Sequence, residues 1–167
     1  MKVKFLKYNE NAVIPFKKHN DDFCYDLVAV SEEEIAPNVW KYGFGFGLQI
    51  ERDNEILEKE SIDKLTEKRT ELNFVASPLN LSIDIRSRSS IWQTGMVLSN
   101  SEGTVDEGYT NEISAVFYHI NKDLPRYKVG DRIAQMKVGF TFPCEFVEVD
   151  KFDETERGMN GYGSTGK

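Results

Sequence analysis

Cysteine and histidine are scarce in this chain, with two of each among 167 residues. Cys24 and Cys144 are too few for a disulfide scaffold, and no Cys-x-x-Cys or His-Glu-x-x-His spacing exists to hold a structural zinc. Both are expected to be small buried apolar residues. His119 lies in a strongly apolar stretch with no partner nucleophile at a recognisable spacing, so it reads as a hydrogen-bonded structural histidine. Positive charge is also in deficit: 21 Lys+Arg against 28 Asp+Glu give a formal net charge of -7. Such a molecule repels nucleic-acid backbones and anionic membranes at long range, although a local cluster of donors can still hold a small anion. No apolar run approaches the roughly 20 residues of a membrane span. The opening MKVKFLKYNENAVIPF is broken by charges before a signal-peptide core can form, so the chain reads as cytoplasmic. Its length fits one domain, residues 1–167, with little room for a second core.

Short runs of strand-forming residues punctuated by turn formers make up most of the chain, the pattern of an all-β sandwich or barrel. The expected strands are Lys2 to Tyr8, Phe44 to Ile50, Leu79 to Ile85, Ile113 to Ile120, Arg132 to Phe140 and Phe146 to Val149. Between Glu112 and Ile120 both alternate faces carry apolar residues, which predicts a strand covered on each side or packed at a subunit contact. One segment departs from this pattern. From Glu51 to Asn73 the chain is dense in charge and free of Gly and Pro, with Ile62, Leu65 and Leu72 near helical spacing. A charged, mostly helical insertion over about residues 51–78 is predicted there, lying on the body of the protein and open to a role as a partner-binding face. The end of the chain, residues 152–167, predicts a flexible arm whose glycines, hydroxyls and cations are the inventory of a phosphate cradle. Within it, Gly161 and Gly166-Lys167 satisfy G-x-x-x-x-G-K, but no Ser/Thr or helix follows, which excludes a Walker-type site.

Five short segments stand in order along the chain. They are Tyr25-Asp26-Leu27; Arg86-Ser87-Arg88-Ser89-Ser90; Asn100 to Tyr109 (NSEGTVDEGY); Gly130 to Gln135 (GDRIAQ); and Arg157 to Gly166 (RGMNGYGSTG). Together they resemble the signature of the trimeric dUTPase family. Three departures stand out: Phe23 and Cys24 replace a usual small pair, and Ser87 stands where proline is usual. Proline would fix its own φ and bias its predecessor toward an extended form, so Ser87 predicts a looser loop and lower substrate affinity.

The resemblance implies a dUTPase-like β-clip or jelly-roll barrel, a homotrimer with sites at subunit junctions, and Mg²⁺-assisted hydrolysis of dUTP to dUMP and pyrophosphate. It implies a catalytic set of Asp106, Ser89 and Gln135. Asp106 would orient and deprotonate the water that attacks the α-phosphorus, and Ser89 would stabilise charge on the leaving oxygen. Arg88, Ser90 and Gln135 would contact phosphate. Asn100, with the backbone near Gly103 and Val105, would pair with the uracil edge, where cytosine reverses the donor and acceptor order. Tyr109 would fill the space a ribose 2′-hydroxyl needs. In the arm, Tyr162 would stack on uracil while Arg157, Gly163, Ser164 and Thr165 hold the outer phosphates and closure excludes water. Asp26 would act on Mg²⁺ through water, since that ion keeps most of its waters and is bridged by phosphates. Two other readings stay open: a dCTP deaminase of the same fold, and a partner-binding role carried by the insertion.

Overall fold

A computed structural model describes residues 2–51, 80–142 and 144–155. Ten strands occupy this part of the chain: β1 (Lys2–Lys7), β2 (Tyr25–Val28), β3 (Ser31–Ala36), β4 (Val39–Gly43), β5 (Phe46–Glu51), β6 (Asn80–Ser87), β7 (Met96–Leu98), β8 (Glu102–Asp106), β9 (Ser114–His119) and β10 (Arg132–Thr141). They form three antiparallel sheets, the pair β1-β5 and two four-stranded sheets of order β2-β10-β6-β8 and β3-β4-β9-β7. The only helical turn among the described residues is a 3₁₀ turn, Ser89–Gln93. No helix of the described residues is long and apolar enough to cross a membrane. Of the insertion expected over about residues 51–78, Glu51 ends β5 and the remainder lies outside the described residues, as do residues 156–167 of the arm.

The alternation of strand side chains builds one core between the two large sheets. Leu27, Ile83, Ile85, Ala134 and Met136 enter it from one sheet, and Tyr42, Met96, Leu98, Ala115 and Phe117 from the other. Phe117 is fully buried and meets Tyr42 and Tyr127 edge-on, with centroid separations of 5.8 and 5.6 Å. The alternate face is different: Val116 is half-buried, and Tyr118 on β9 and Ile120 just beyond it are exposed, so little among the described residues covers that side. His119 does take the structural role, its Nε2 lying 3.1 Å from the Leu124 carbonyl.

Several strands escape the sequence pattern. β3, Ser-Glu-Glu-Glu-Ile-Ala, is too charged to read as a strand, yet it forms a sheet edge, where charge protects unpaired backbone groups from pairing with another chain. Conversely, Phe146 to Val149 is no strand. Phe146 is 95% exposed and the segment has no partner strand among the described residues, so its apolar alternation has neither a ladder nor a core to join. The cysteines also depart from expectation: Cys144 follows β10 past its last pairing and is exposed, and Cys24 is only half-buried in a polar loop.

The connection from β9 to β10 is fastened by Arg126. Its Nη2 donates to Glu32 Oε1 at 2.8 Å, its Nη1 donates to the Tyr127 carbonyl at 3.0 Å, and its guanidinium lies 3.6 Å from the Trp40 ring centroid. The bond from Arg126 holds the Glu32 carboxyl below its ordinary range. This hub fixes the loop that leads into the turn ahead of β10, where Gly130 adopts a φ of +92° that L side chains rarely take.

Candidate active site

The first cluster forms where β2, the 3₁₀ turn and the start of β10 converge. Asp26 on β2 accepts from Arg88 Nε at its Oδ1 and from Arg132 Nη1 at its Oδ2, both at 2.8 Å. Its side chain is 14% exposed and that of Arg88 23%, so this charge-assisted bond is largely shielded from water, whereas Arg132 is 42% exposed. Arg88 Nη1 also points to Ser90 Oγ and the Arg132 carbonyl, at 3.5 and 3.4 Å. Among the described residues this leaves the Arg88 Nη2 donors for a ligand. Ser89 opens the 3₁₀ turn, which the Ile91 N–H closes onto the Arg88 carbonyl and Thr94 Oγ1 closes onto the Ile91 carbonyl. Arg88, Ser89, Arg132, Gln135 and Asp26 line one wall of a cavity of about 450 Å³.

Arg132 is absent from the sequence-predicted site. Residues 132 and 135, three apart, should face opposite sides of a regular strand. A β-bulge between Arg132 and Ala134, opposite β2, adds one residue and turns both side chains to the same face. The turn ahead of it is built for this delivery: Asp131 Oδ2 accepts from Lys128 N at 2.8 Å, and Gly130 N donates to the Ala29 carbonyl at 2.8 Å. The only sequence signal for Arg132 is its place inside GDRIAQ, and the bulge is invisible there.

Ser87 stands in extended backbone without proline. It ends β6 in register with Ala134, and Gln135 Nε2 donates to its carbonyl at 2.9 Å. Strand pairing thus supplies the extended conformation that proline would have imposed.

The second cluster lies at the other end of the same sheet. β8 pairs with β6, placing Asp106 opposite Ser82. A turn follows, in which Tyr109 N donates to the Asp106 carbonyl at 3.0 Å and Tyr109 Oη donates to the Glu112 carbonyl at 3.0 Å. Asp106, Tyr109 and Val105 line a smaller cavity of about 190 Å³. Asn100 and Gly103 form a pair at the start of β8; a Cβ on Gly103 would meet Asn100 Nδ2 at 3.1 Å. Neither lines the Asp106 cavity. Between the clusters, Asp84 is buried at 9% exposure; desolvation would raise its pKa, but Lys137, Ser82 and Thr104 outweigh burial and hold it low.

Within the chain the two clusters stay apart. Gln135 stands opposite Arg86, four residues along β6 from the Ser82 position that faces Asp106. At about 3.4 Å per residue and about 4.8 Å per strand, their Cα atoms are about 17 Å apart. Arg157, Tyr162, Gly163, Ser164 and Thr165 lie outside the described residues. No group of three or more His, Cys, Asp or Glu that could hold a metal occurs among the described residues.

An all-β body thus carries two arginines clamped on an aspartate at one end of a sheet and an aspartate-tyrosine cavity at the other. Comparison with known proteins makes this specific. The family model described as dUTPase matches residues 45–166. A deoxyuridine 5'-triphosphate nucleotidohydrolase from Helicobacter pylori is 32% identical over 168 residues, covering 99% of this chain and 97% of the relative. Among solved structures, a mutant dUTPase of Staphylococcus bacteriophage 80alpha with dUpNHpp superposes with a TM-score of 0.72 at 17% identity, covering 99% of both chains. A mutant dUTPase from phage phi11 of S. aureus, described for the coordination of a structural Mg(II) ion, gives 0.63 at 15% identity, covering 92% of this chain and 100% of that one. The chain belongs to the dUTPase family and has its fold.

Proposed function

We propose that this protein hydrolyses dUTP to dUMP and pyrophosphate, with the Arg88 cluster at the phosphate end and the Asp106–Tyr109 cavity at the nucleoside end. The observation that carries this reading is the paired clamp of Arg88 and Arg132 on Asp26 beside Ser89 and Gln135, a preorganised cationic wall in a chain of net charge -7. Arg88 Nη2 and the Ser89 hydroxyl bind phosphate oxygens and meet charge as it develops on the leaving group. Asp106 holds the attacking water and takes its proton. The face of Tyr109, its hydroxyl tied to the Glu112 carbonyl, stands against the sugar and leaves no room for a 2′-hydroxyl.

In this scheme Asp26 would hold Mg²⁺. With both oxygens already on arginines, Asp26 is suited only to a water-mediated contact, consistent with an ion that keeps its waters. When bound, the ion would neutralise phosphate charge during the displacement.

Asp106 and the Ser89–Gln135 group must act on the same phosphorus, yet about 17 Å separates the Cα positions of Asp106 and Gln135 within a protomer. The site is therefore shared between copies, and a homotrimer that sets one copy's Asp106 against another's Arg88, with the terminal arm of a third, meets this requirement. Sedimentation should give three times 19.2 kDa; a monomer at micromolar concentration would defeat the shared site. The activity is tested by supplying each deoxynucleoside triphosphate with and without Mg²⁺ and measuring pyrophosphate and ammonia. Pyrophosphate and dUMP from dUTP are expected; ammonia from dCTP with no turnover of dUTP would overturn the reading in favour of a deaminase.

A further inference from the structure

The phosphate cavity has a second wall that none of the roles above uses. The cavity that Arg88, Ser89, Arg132 and Gln135 line is also lined by Lys18, His19 and Asp22, from the loop ahead of β2. The loop is pinned at its base, where Asp26 N donates to the Phe16 carbonyl at 2.7 Å. It closes on itself through two bonds: Asp22 N donates to the His19 carbonyl at 3.1 Å, and His19 N donates to Asp22 Oδ2 at 2.9 Å. The turn therefore engages the Asp22 carboxylate internally. Lys17 is drawn away, its Nζ 4.8 Å from the Tyr25 ring centroid. Among the described residues, Lys18 Nζ and the His19 ring have no partner. Arg88, Arg132 and Lys18 against Asp22 and Asp26 leave the cavity one positive charge in excess, while the chain as a whole carries -7.

We infer that Lys18, with the His19 ring beside it, forms a second wall that grips the far end of a polyphosphate chain anchored at Arg88 and Ser89. The ligand class is pyrophosphate, either as the outer part of a nucleoside triphosphate or as the free product. The inference rests on reading this cavity as the phosphate end. A ligand with only one phosphate, held at the nucleoside side, gains nothing from this wall. Lys18 and His19 thus separate the affinity for substrate and pyrophosphate from the affinity for the nucleoside monophosphate.

The test is calorimetric binding of inorganic pyrophosphate with Mg²⁺, and separately of dUMP, to the full chain. An exposed contact from the Lys18 ammonium or the His19 ring N–H is worth about threefold, so Lys18→Ala with His19→Ala should weaken pyrophosphate binding about tenfold and leave dUMP within about twofold. Lys18→Arg should keep wild-type affinity. Lys122→Ala, the same charge change on an exposed loop outside the cavity, should leave it unchanged. Should the double variant lose its thermal transition, Lys18→Ala alone carries the test, since the Lys18 side chain is exposed. Undiminished pyrophosphate binding in these variants, an equal loss with dUMP, an equal loss in Lys122→Ala, or a wild type that does not bind pyrophosphate would each overturn the inference. A wild type that binds pyrophosphate through Lys18 yet releases none from dUTP would uphold it and overturn the proposed activity instead.

Discussion

Asp26 can serve the phosphate site in two ways, and Asp26→Asn separates them. In the structure its two oxygens orient Arg88 and Arg132, each at 2.8 Å. Asparagine keeps one acceptor but turns an Nδ2 donor toward a guanidinium that only donates. A charge-assisted bond contributes about 1.5–3 kcal/mol. The Arg88 bond earns that range because the side chains are 23% and 14% exposed; the Arg132 bond, with its arginine 42% exposed, is discounted to under about 1 kcal/mol. The expected loss is thus about 2–4 kcal/mol, or about 1–2 M in the urea midpoint for a slope of about 2 kcal/mol/M. With Arg88 no longer oriented, the KM for dUTP should rise about tenfold, and saturating Mg²⁺ should not restore it. Arg132→Ala should give the smaller part of the stability loss, and combining it with Asp26→Asn should add less than the sum. The assays are urea unfolding and steady-state pyrophosphate release across a Mg²⁺ titration. A stability change under about 0.5 kcal/mol, together with full recovery of activity at high Mg²⁺, would refute the clamp and make Asp26 a metal partner alone.

Asp106→Asn should lower turnover by roughly 10²- to 10⁴-fold with assembly intact, and near-normal turnover would place water activation elsewhere. Ending the chain before Arg157 should preserve the thermal transition and abolish most pyrophosphate release; a collapse of the transition would show the arm to be part of the core. Lys137→Met should destabilise by about 3 kcal/mol at neutral pH, because it strands the buried Asp84 carboxylate. The folded pKa of Asp84 lies below its unfolded value near 3.8, so the pair's contribution is present above about pH 4 and lost as pH falls through the folded value. The gap between wild type and Lys137→Met in denaturant midpoint should therefore narrow on acidification, and a gap that stays constant down to about pH 3 would contradict the assignment.

Much of the site was legible as strings because phosphate and nucleotide chemistry restricts which residues can stand at short spacings. Arg88-Ser89, Asp106 three residues before Tyr109, and Gly130 to Gln135 can be read without coordinates. The β class was equally legible, since apolar alternation marks the strands that feed the core. Legibility failed where pattern and environment part company. β3 is a strand despite its three glutamates because it lies at an edge, and Phe146 to Val149 is none despite its alternation because no strand among the described residues lies beside it.

The amino-acid sequence by itself determined the β class, the membership of a family through five ordered segments, and the residue types available for holding phosphate. Only the tertiary structure decided that Arg132 joins Arg88 on Asp26, that strand pairing fixes Ser87, and that Asp106 stands about 17 Å from Gln135 in one protomer. The physical reason is that a single bulge reverses the face a side chain takes, and register sets how far apart two strands carry their residues. Both are properties of paired backbones, and neither is written in the spacing along one chain.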